Sequence, residues 1–172
     1  QRDDEGERKR EPEAEQPHER PAAETRVDVD LKYALTPSSK PDVIYRTEFS
    51  QVDADQPRTR LNDGKCDRRG RFFAGGMDDK EELAICGLWR LDPDLKVTLA
   101  YRGIICTNGP CWSPDDKTFY LTDTFQQEYW AWDYDLDAGT LSNKRTFVSS
   151  KGAPGIADGS TVDSEGCLWN AE

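Results

Sequence analysis

Histidine is almost missing from this chain: of 172 residues only His18 is one, so histidine-based metal or acid–base chemistry has no material to work with. The five cysteines (Cys66, Cys86, Cys106, Cys111 and Cys167) form an odd set without a C-x-x-C pair, which argues against a disulfide framework and against a structural zinc site. They are expected to be buried reduced thiols. Cys106 and Cys111 flank Asn108 and could in principle pair, but the simpler reading is that they pack in adjacent strands. Positive charge is scarce as well, with 23 basic against 34 acidic side chains and a net charge of −11, and phosphate binding needs the opposite. Nucleic acid is therefore not an expected partner. No stretch approaches the ~18 apolar residues of a membrane span, and the N-terminal region lacks the apolar core of a signal peptide. No membrane partner is expected, and the expected compartment is the cytoplasm. Little helix is expected, because no segment sustains a 3.6-residue apolar period.

Residues 1–28 hold six basic and ten acidic side chains, no aromatic residue and only four apolar ones. Such a segment cannot bury enough surface to offset chain ordering at roughly 1–2 kcal/mol per residue, so it is expected to be a disordered tail ahead of one domain spanning 29–172. Within that domain an Asx-Gly pair recurs as Asp63-Gly64, Asn108-Gly109 and Asp158-Gly159, spaced 45 and then 50 residues apart. Each pair leads into a second polar turn and then an apolar pair, Phe72-Phe73, Phe119-Tyr120 and Leu168-Trp169. A period of that length built from short strands and turns predicts an all-β propeller with one four-stranded blade per repeat. A β-sandwich gives no reason for near-identical turns at this interval.

The expected strands are an alternating segment at 43–49, then 64–66, 71–75, 86–92 and 96–101 for one blade. A second blade follows with 110–112, 118–122, 128–134 and 144–148, and the start of a third comes after Gly159. The polar segment 51–60 is expected to be a loop, and 76–83 an acidic exposed one. Because inner strands of a propeller point their leading ends at one axial opening, Asn62, Asp63, Asn108 and Asp158 are expected to converge there. Trp112, Trp130, Trp132 and Trp169 are expected to be core aromatics between blades.

The ordered set Arg60-Leu61-Asn62-Asp63-Gly64-Lys65-Cys66-Asp67, Gly70-Arg71-Phe72-Phe73-Ala74-Gly75, Thr107-Asn108-Gly109-Pro110-Cys111-Trp112-Ser113-Pro114-Asp115, Asp133-Tyr134-Asp135 and Ala157-Asp158-Gly159 resembles the gluconolactonase/regucalcin (senescence marker protein) family. The resemblance runs from about Asn62 to Glu172. It implies a six-bladed propeller with one divalent metal ion, calcium, zinc or manganese, in the axial channel, and hydrolysis of a sugar lactone to an aldonic acid. It further implies that Asn108 and Asp158 are metal ligands, that Asp158 is also the catalytic acid/base, and that Arg60 and Asn62 contact substrate. These residue types suit the chemistry, since a hard divalent cation takes carboxylate and amide oxygens and a guanidinium offers a forked donor set to hydroxyls or a carboxylate.

Three positions depart from the family pattern. No first-blade glutamate motif is found in residues 1–60, Lys80 stands near where an acidic substrate contact belongs, flanked by Asp79 and Glu81, and Ala157 replaces the usual proline. The chain is expected to be a truncated member encoding about two full blades and parts of two more, prone to self-association through exposed blade edges. The alternative reading is a non-catalytic propeller fragment that binds calcium or a protein partner.

Overall fold

The structure is a computed structural model that describes residues 52–172. The expected tail 1–28, with His18, and the expected strand 43–49 lie outside the described residues. Strands β1 (Thr59–Cys66), β2 (Phe72–Asp78), β3 (Cys86–Leu91) and β4 (Val97–Ile104) form one antiparallel sheet in sequential order. The pattern repeats in β5 (Thr107–Trp112), β6 (Thr118–Asp123), β7 (Glu128–Asp135) and β8 (Thr140–Ser149). A third unit begins with the hairpin of β9 (Ser160–Val162) and β10 (Leu168–Asn170). No helix occurs among the described residues, and none is therefore long and apolar enough to cross a membrane, which says nothing of a β-barrel.

The turns follow from their residues. Asp67 Oδ1 accepts bonds from the backbone N–H groups of Arg69 and Arg71, both at 2.9 Å, while Gly70 takes the left-handed conformation that closes the turn. The third unit repeats this at Asp163, whose Oδ1 accepts from the N–H groups of Glu165 and Cys167, again with a left-handed glycine, Gly166. In the second unit the Ser113 hydroxyl accepts the Thr118 N–H at 2.9 Å.

Two kinds of contact stack the first two sheets as blades. Apolar faces meet through aromatic rings: Phe73 of β2 lies 5.6 Å from Phe119 of β6, and Tyr101 of β4 lies edge-on to Trp130 and Trp132 of β7 at 5.8 and 5.4 Å. Such pairs contribute about 0.5–1.5 kcal/mol each beyond the area they bury. Nearer the turns of the two sheets, the Arg71 guanidinium is held by Asp67 through Nε at 2.6 Å and donates across the interface to the Tyr134 hydroxyl and to the carbonyls of Leu136 and Asp137. Burial alone would raise the Asp67 pKa, but the Tyr134 hydroxyl and the Arg71 donors outweigh it and hold the carboxyl below its ordinary range. Gly139 allows this clasp to close, since a Cβ there would stand 2.4 Å from an Arg71 nitrogen.

Several expectations are corrected by this architecture. β1 starts at Thr59 and β5 at Thr107, earlier than turn chemistry suggested, because each pairs with β2 or β6 from its first residue. The segment 76–83 is not an exposed loop throughout: Gly76, Met77 and Asp78 are the buried end of β2. All five cysteines are free, yet only Cys86, Cys106 and Cys111 are buried, whereas Cys66 and Cys167 are exposed. Trp130 and Trp132 are core residues as expected, but Trp169 is 63% exposed.

Candidate functional site

The innermost strands β1 and β5 and the segment leading into β9 come together at one end. Asp63 Oδ2 accepts the Gly109 N–H at 2.8 Å, which ties β1 to β5. Gly109 has φ of 60°, and a Cβ on it would lie 2.3 Å from the Ser160 hydroxyl, so β5 and β9 approach too closely for any side chain. Asp63 Oδ1 accepts from its neighbour Gly64. With both carboxylate oxygens engaged by backbone, Asp63 serves to join strands.

Both candidate asparagines sit where inner strands depart from regular pairing. The β1 register breaks between Leu61 and Asp63, leaving Asn62 as the extra residue, and the β5 register breaks between Asn108 and Cys111. A bulge rotates the local backbone and re-aims a side chain that regular alternation would have sent to a sheet face.

The side chains re-aimed in this way form a directional chain of hydrogen bonds. Arg60 Nη1 donates to Asn62 Oδ1 at 3.2 Å, and Asn62 Nδ2 donates to the Thr107 carbonyl at 2.9 Å and to Asn108 Oδ1 at 3.3 Å. Asn108 Nδ2 then donates to Thr124 Oγ1 at 2.7 Å, and the Thr124 hydroxyl donates to the Ala157 carbonyl at 2.8 Å. The structure thus brings Arg60, Asn62 and Asn108 into direct contact and delivers the chain to the residue immediately before Asp158. Asp158 is fixed through its backbone, its N–H bonding the Ala171 carbonyl at 2.8 Å and its carbonyl accepting from Asn170 Nδ2 at 3.1 Å. Its carboxylate is exposed and has no hydrogen-bond partner among the described residues.

Two residues that sequence reasoning passed over belong here. Thr124 directly follows β6 with no motif around it, and its only sequence signal is its place just beyond Asp123. Cys106 places its sulfur 3.6 Å from Asn62 Nδ2 and 3.7 Å from Asn108 Nδ2, and burial raises its pKa to about 11, so it stands as a neutral thiol. Arg60 is further held by Asp79, Nε to Oδ1 3.5 Å, with both groups about half exposed. Lys80 is exposed.

The donors suit a hard divalent cation in kind: an amide oxygen from Asn108 and an unpartnered carboxylate from Asp158. Among the described residues no group of three or more His, Cys, Asp or Glu gathers as a metal centre, so the charged part of the donor set is one carboxylate. Beside this end, a cleft of about 590 Å3 runs along the inner strands, lined by Asp63, Lys65, Pro110, Ser160, Trp169 and Asn170. It includes Asp63, the sequence neighbour of Asn62, but is not lined by Asn62, Asn108 or Asp158.

Comparison with known proteins agrees with the fold. The family model described as the SMP-30/Gluconolactonase/LRE-like region matches residues 32–172. Regucalcin from Danio rerio is 42% identical over 127 residues, covering 73% of this chain and 43% of its own. The crystal structure of a calcium-binding protein, regucalcin, from Agrobacterium tumefaciens superposes with a TM-score of 0.66 at 32% identity, over 71% of this chain and 41% of that one. A gluconolactonase from Xanthomonas campestris follows with a TM-score of 0.55 at 27% identity, over 65% and 40%. The chain spans about two fifths of the length of these relatives. The two sequential four-stranded sheets and the hairpin after them are blades of an unclosed propeller, and the chain belongs to the SMP-30/gluconolactonase/LRE-like family.

Proposed function

We propose that the end of the inner strands bearing Arg60, Asn62, Asn108 and Asp158 is a lactonase site that opens a sugar lactone to its aldonic acid. The observation that carries this reading is the continuous bonded chain from Arg60 through Asn62 and Asn108 to the carbonyl immediately before Asp158, whose own carboxylate is exposed and without a hydrogen-bond partner among the described residues. Asn108 Oδ1 and the Asp158 carboxylate would hold one divalent ion. When bound, such an ion supplies a Lewis acid for the lactone carbonyl.

The remaining work falls to the side chains. Arg60 and Asn62 bind sugar hydroxyls and, after ring opening, the new carboxylate. Asp158 accepts a proton from the attacking water as the water oxygen bonds to the carbonyl carbon. The ring C–O bond then breaks, and the proton passes to the departing ring oxygen, which becomes a hydroxyl of the acid.

Aldonolactone hydrolysis measured across a divalent-metal titration tests the proposal. Asp158→Asn is expected to lower the metal-dependent rate by about 10²–10⁴-fold, the usual contribution of a general base, with the melting temperature little changed because the carboxylate is exposed. A rate unaffected by this substitution would remove Asp158 from the mechanism. The all-oxygen donor pair and the calcium-binding description of the Agrobacterium relative favour a second reading, a calcium-binding propeller without turnover. Saturable calcium binding with no hydrolysis of any aldonolactone would select it.

A further inference from the structure

We infer that Thr124 is a positioning residue that sets which atom of Asn108 faces Asn62 and ties the Asp158 segment to the second blade. The argument is a proton count. A threonine hydroxyl has one hydrogen, and here it is directed to the Ala157 carbonyl at 2.8 Å. Toward Asn108 the oxygen can only accept, so the atom 2.7 Å away is the amide nitrogen and Asn108 Oδ1 points the other way, to Asn62. The reversed amide fails at both ends: Thr124 would have to surrender the Ala157 carbonyl, and the Asn108 NH2 would oppose the Asn62 NH2. Burial makes this choice stringent, because Thr124, Asn108 and Ala157 are 6, 7 and 4% exposed and water cannot supply a missing partner.

Thr124 therefore does two things with one oxygen. It holds the acceptor oxygen of Asn108, and not its donor nitrogen, on the side of Asn62, and it fixes the distance from β5 to the backbone of residues 157–158 across two repeats. The orientation follows from the bonds alone; its effect on a cation rests on the reading given above. A hydroxyl-deleting substitution of matched shape, Thr124→Val, removes both bonds while keeping the backbone contact from the Thr124 N–H to the Cys106 carbonyl, and Thr124→Ser restores the hydroxyl.

Two measurements on the whole chain decide the matter. In NMR spectra the Asn108 side-chain amide protons are expected to exchange slowly with water in the parent and in Thr124→Ser, and rapidly in Thr124→Val. In calcium titration calorimetry Thr124→Val is expected to weaken binding by about 10–100-fold, the usual cost of losing a group that orients a ligand, while Thr124→Ser stays within about 3-fold. Equal amide exchange in all three proteins overturns the orienting role, and so does a Thr124→Ser defect as large as that of Thr124→Val, which would assign the effect to methyl packing. If the parent binds no calcium, the metal reading fails, and the amide exchange still decides the role of Thr124.

Discussion

The first and second blades share a frame and differ at the residue that follows their second strand. In each, a threonine early in the inner strand pairs with an aspartate at the end of the next, Thr59 with Asp78 and Thr107 with Asp123, and both aspartates are completely buried. Both carboxylates bond backbone N–H groups of an adjoining turn: Asp78 takes those of Glu82 and Leu83, and Asp123 those of Ile105 and Gln126. The residue just beyond diverges. Asp79 bonds the Arg58 carbonyl through its backbone and sends its carboxylate outward to Arg60, whereas Thr124 bonds the Cys106 carbonyl and sends its hydroxyl inward to Asn108. The repeated carboxylate holds each blade together, and the neighbour after it is where the two blades acquire different chemistry.

The clasp joining the blades offers the largest break. Arg71→Ala takes the charge partner from Asp67, whose side chain is 1% exposed, leaving it the Tyr134 hydroxyl and backbone N–H groups as donors, and losing one member of such a buried pair costs about 3–5 kcal/mol. Denaturant unfolding should show that loss. Should the two blades be independent, the variant would instead unfold in two steps with only the first one shifted.

A smaller effect separates the two buried aspartates. Asp78 is paired with Arg58, whose guanidinium bonds both carboxylate oxygens, while Asp123 is held by amide donors from the backbone and Gln126. The Arg58 bonds, working against burial, keep the Asp78 pKa well below its ordinary value. A carboxyl with a depressed folded pKa adds stability that is complete above its unfolded value near ~3.9 and fades as pH falls toward the folded one. Arg58→Met should lower stability at neutral pH by about 1–3 kcal/mol, as for hydrogen bonds to a charged group, and flatten the stability profile below pH ~4. Hydrogen exchange should place that loss in β1 and β2; equal loss in β5 and β6 would show that Arg58 supports the whole assembly.

Thiol labelling changes nothing in stability and sharpens the comparison further. Cys86 in the first blade and Cys111 in the second are each pushed up to about 12 by burial, while Cys66 and Cys167 lie exposed. A maleimide at neutral pH should modify two of the five cysteines quickly and the rest only on unfolding. Early modification of Cys86 alone would mean that the first blade opens locally before the second.

The repeat was legible in the sequence because turns are short and their residues have fixed chemistry: Asp67 to Gly70 and Asp163 to Gly166 fold as their Asx and glycine types dictate. Arg60, Asn62 and Asn108 were legible through the same motifs and do meet. What stayed hidden depends on register and distance in the chain. The bulges at Asn62 and after Asn108 leave no periodic trace, since one extra residue in a strand looks like any other. Arg71 and Tyr134 are 63 residues apart, and nothing local marks either as a partner. Asp78 reads as the start of an acidic loop because its burial is decided by Arg58, twenty positions upstream.

The last acceptor in the Arg60 to Ala157 chain is a main-chain oxygen. Every amino acid carries that atom, proline included, since proline gives up its N–H and keeps its C=O. The acceptor at position 157 therefore asks nothing of the side chain except that it fit a niche where alanine is 4% exposed. An Ala157→Pro substitution would change only the filler of a slot whose working part is common to all residues, and would leave the acceptor of the Thr124 hydroxyl in place.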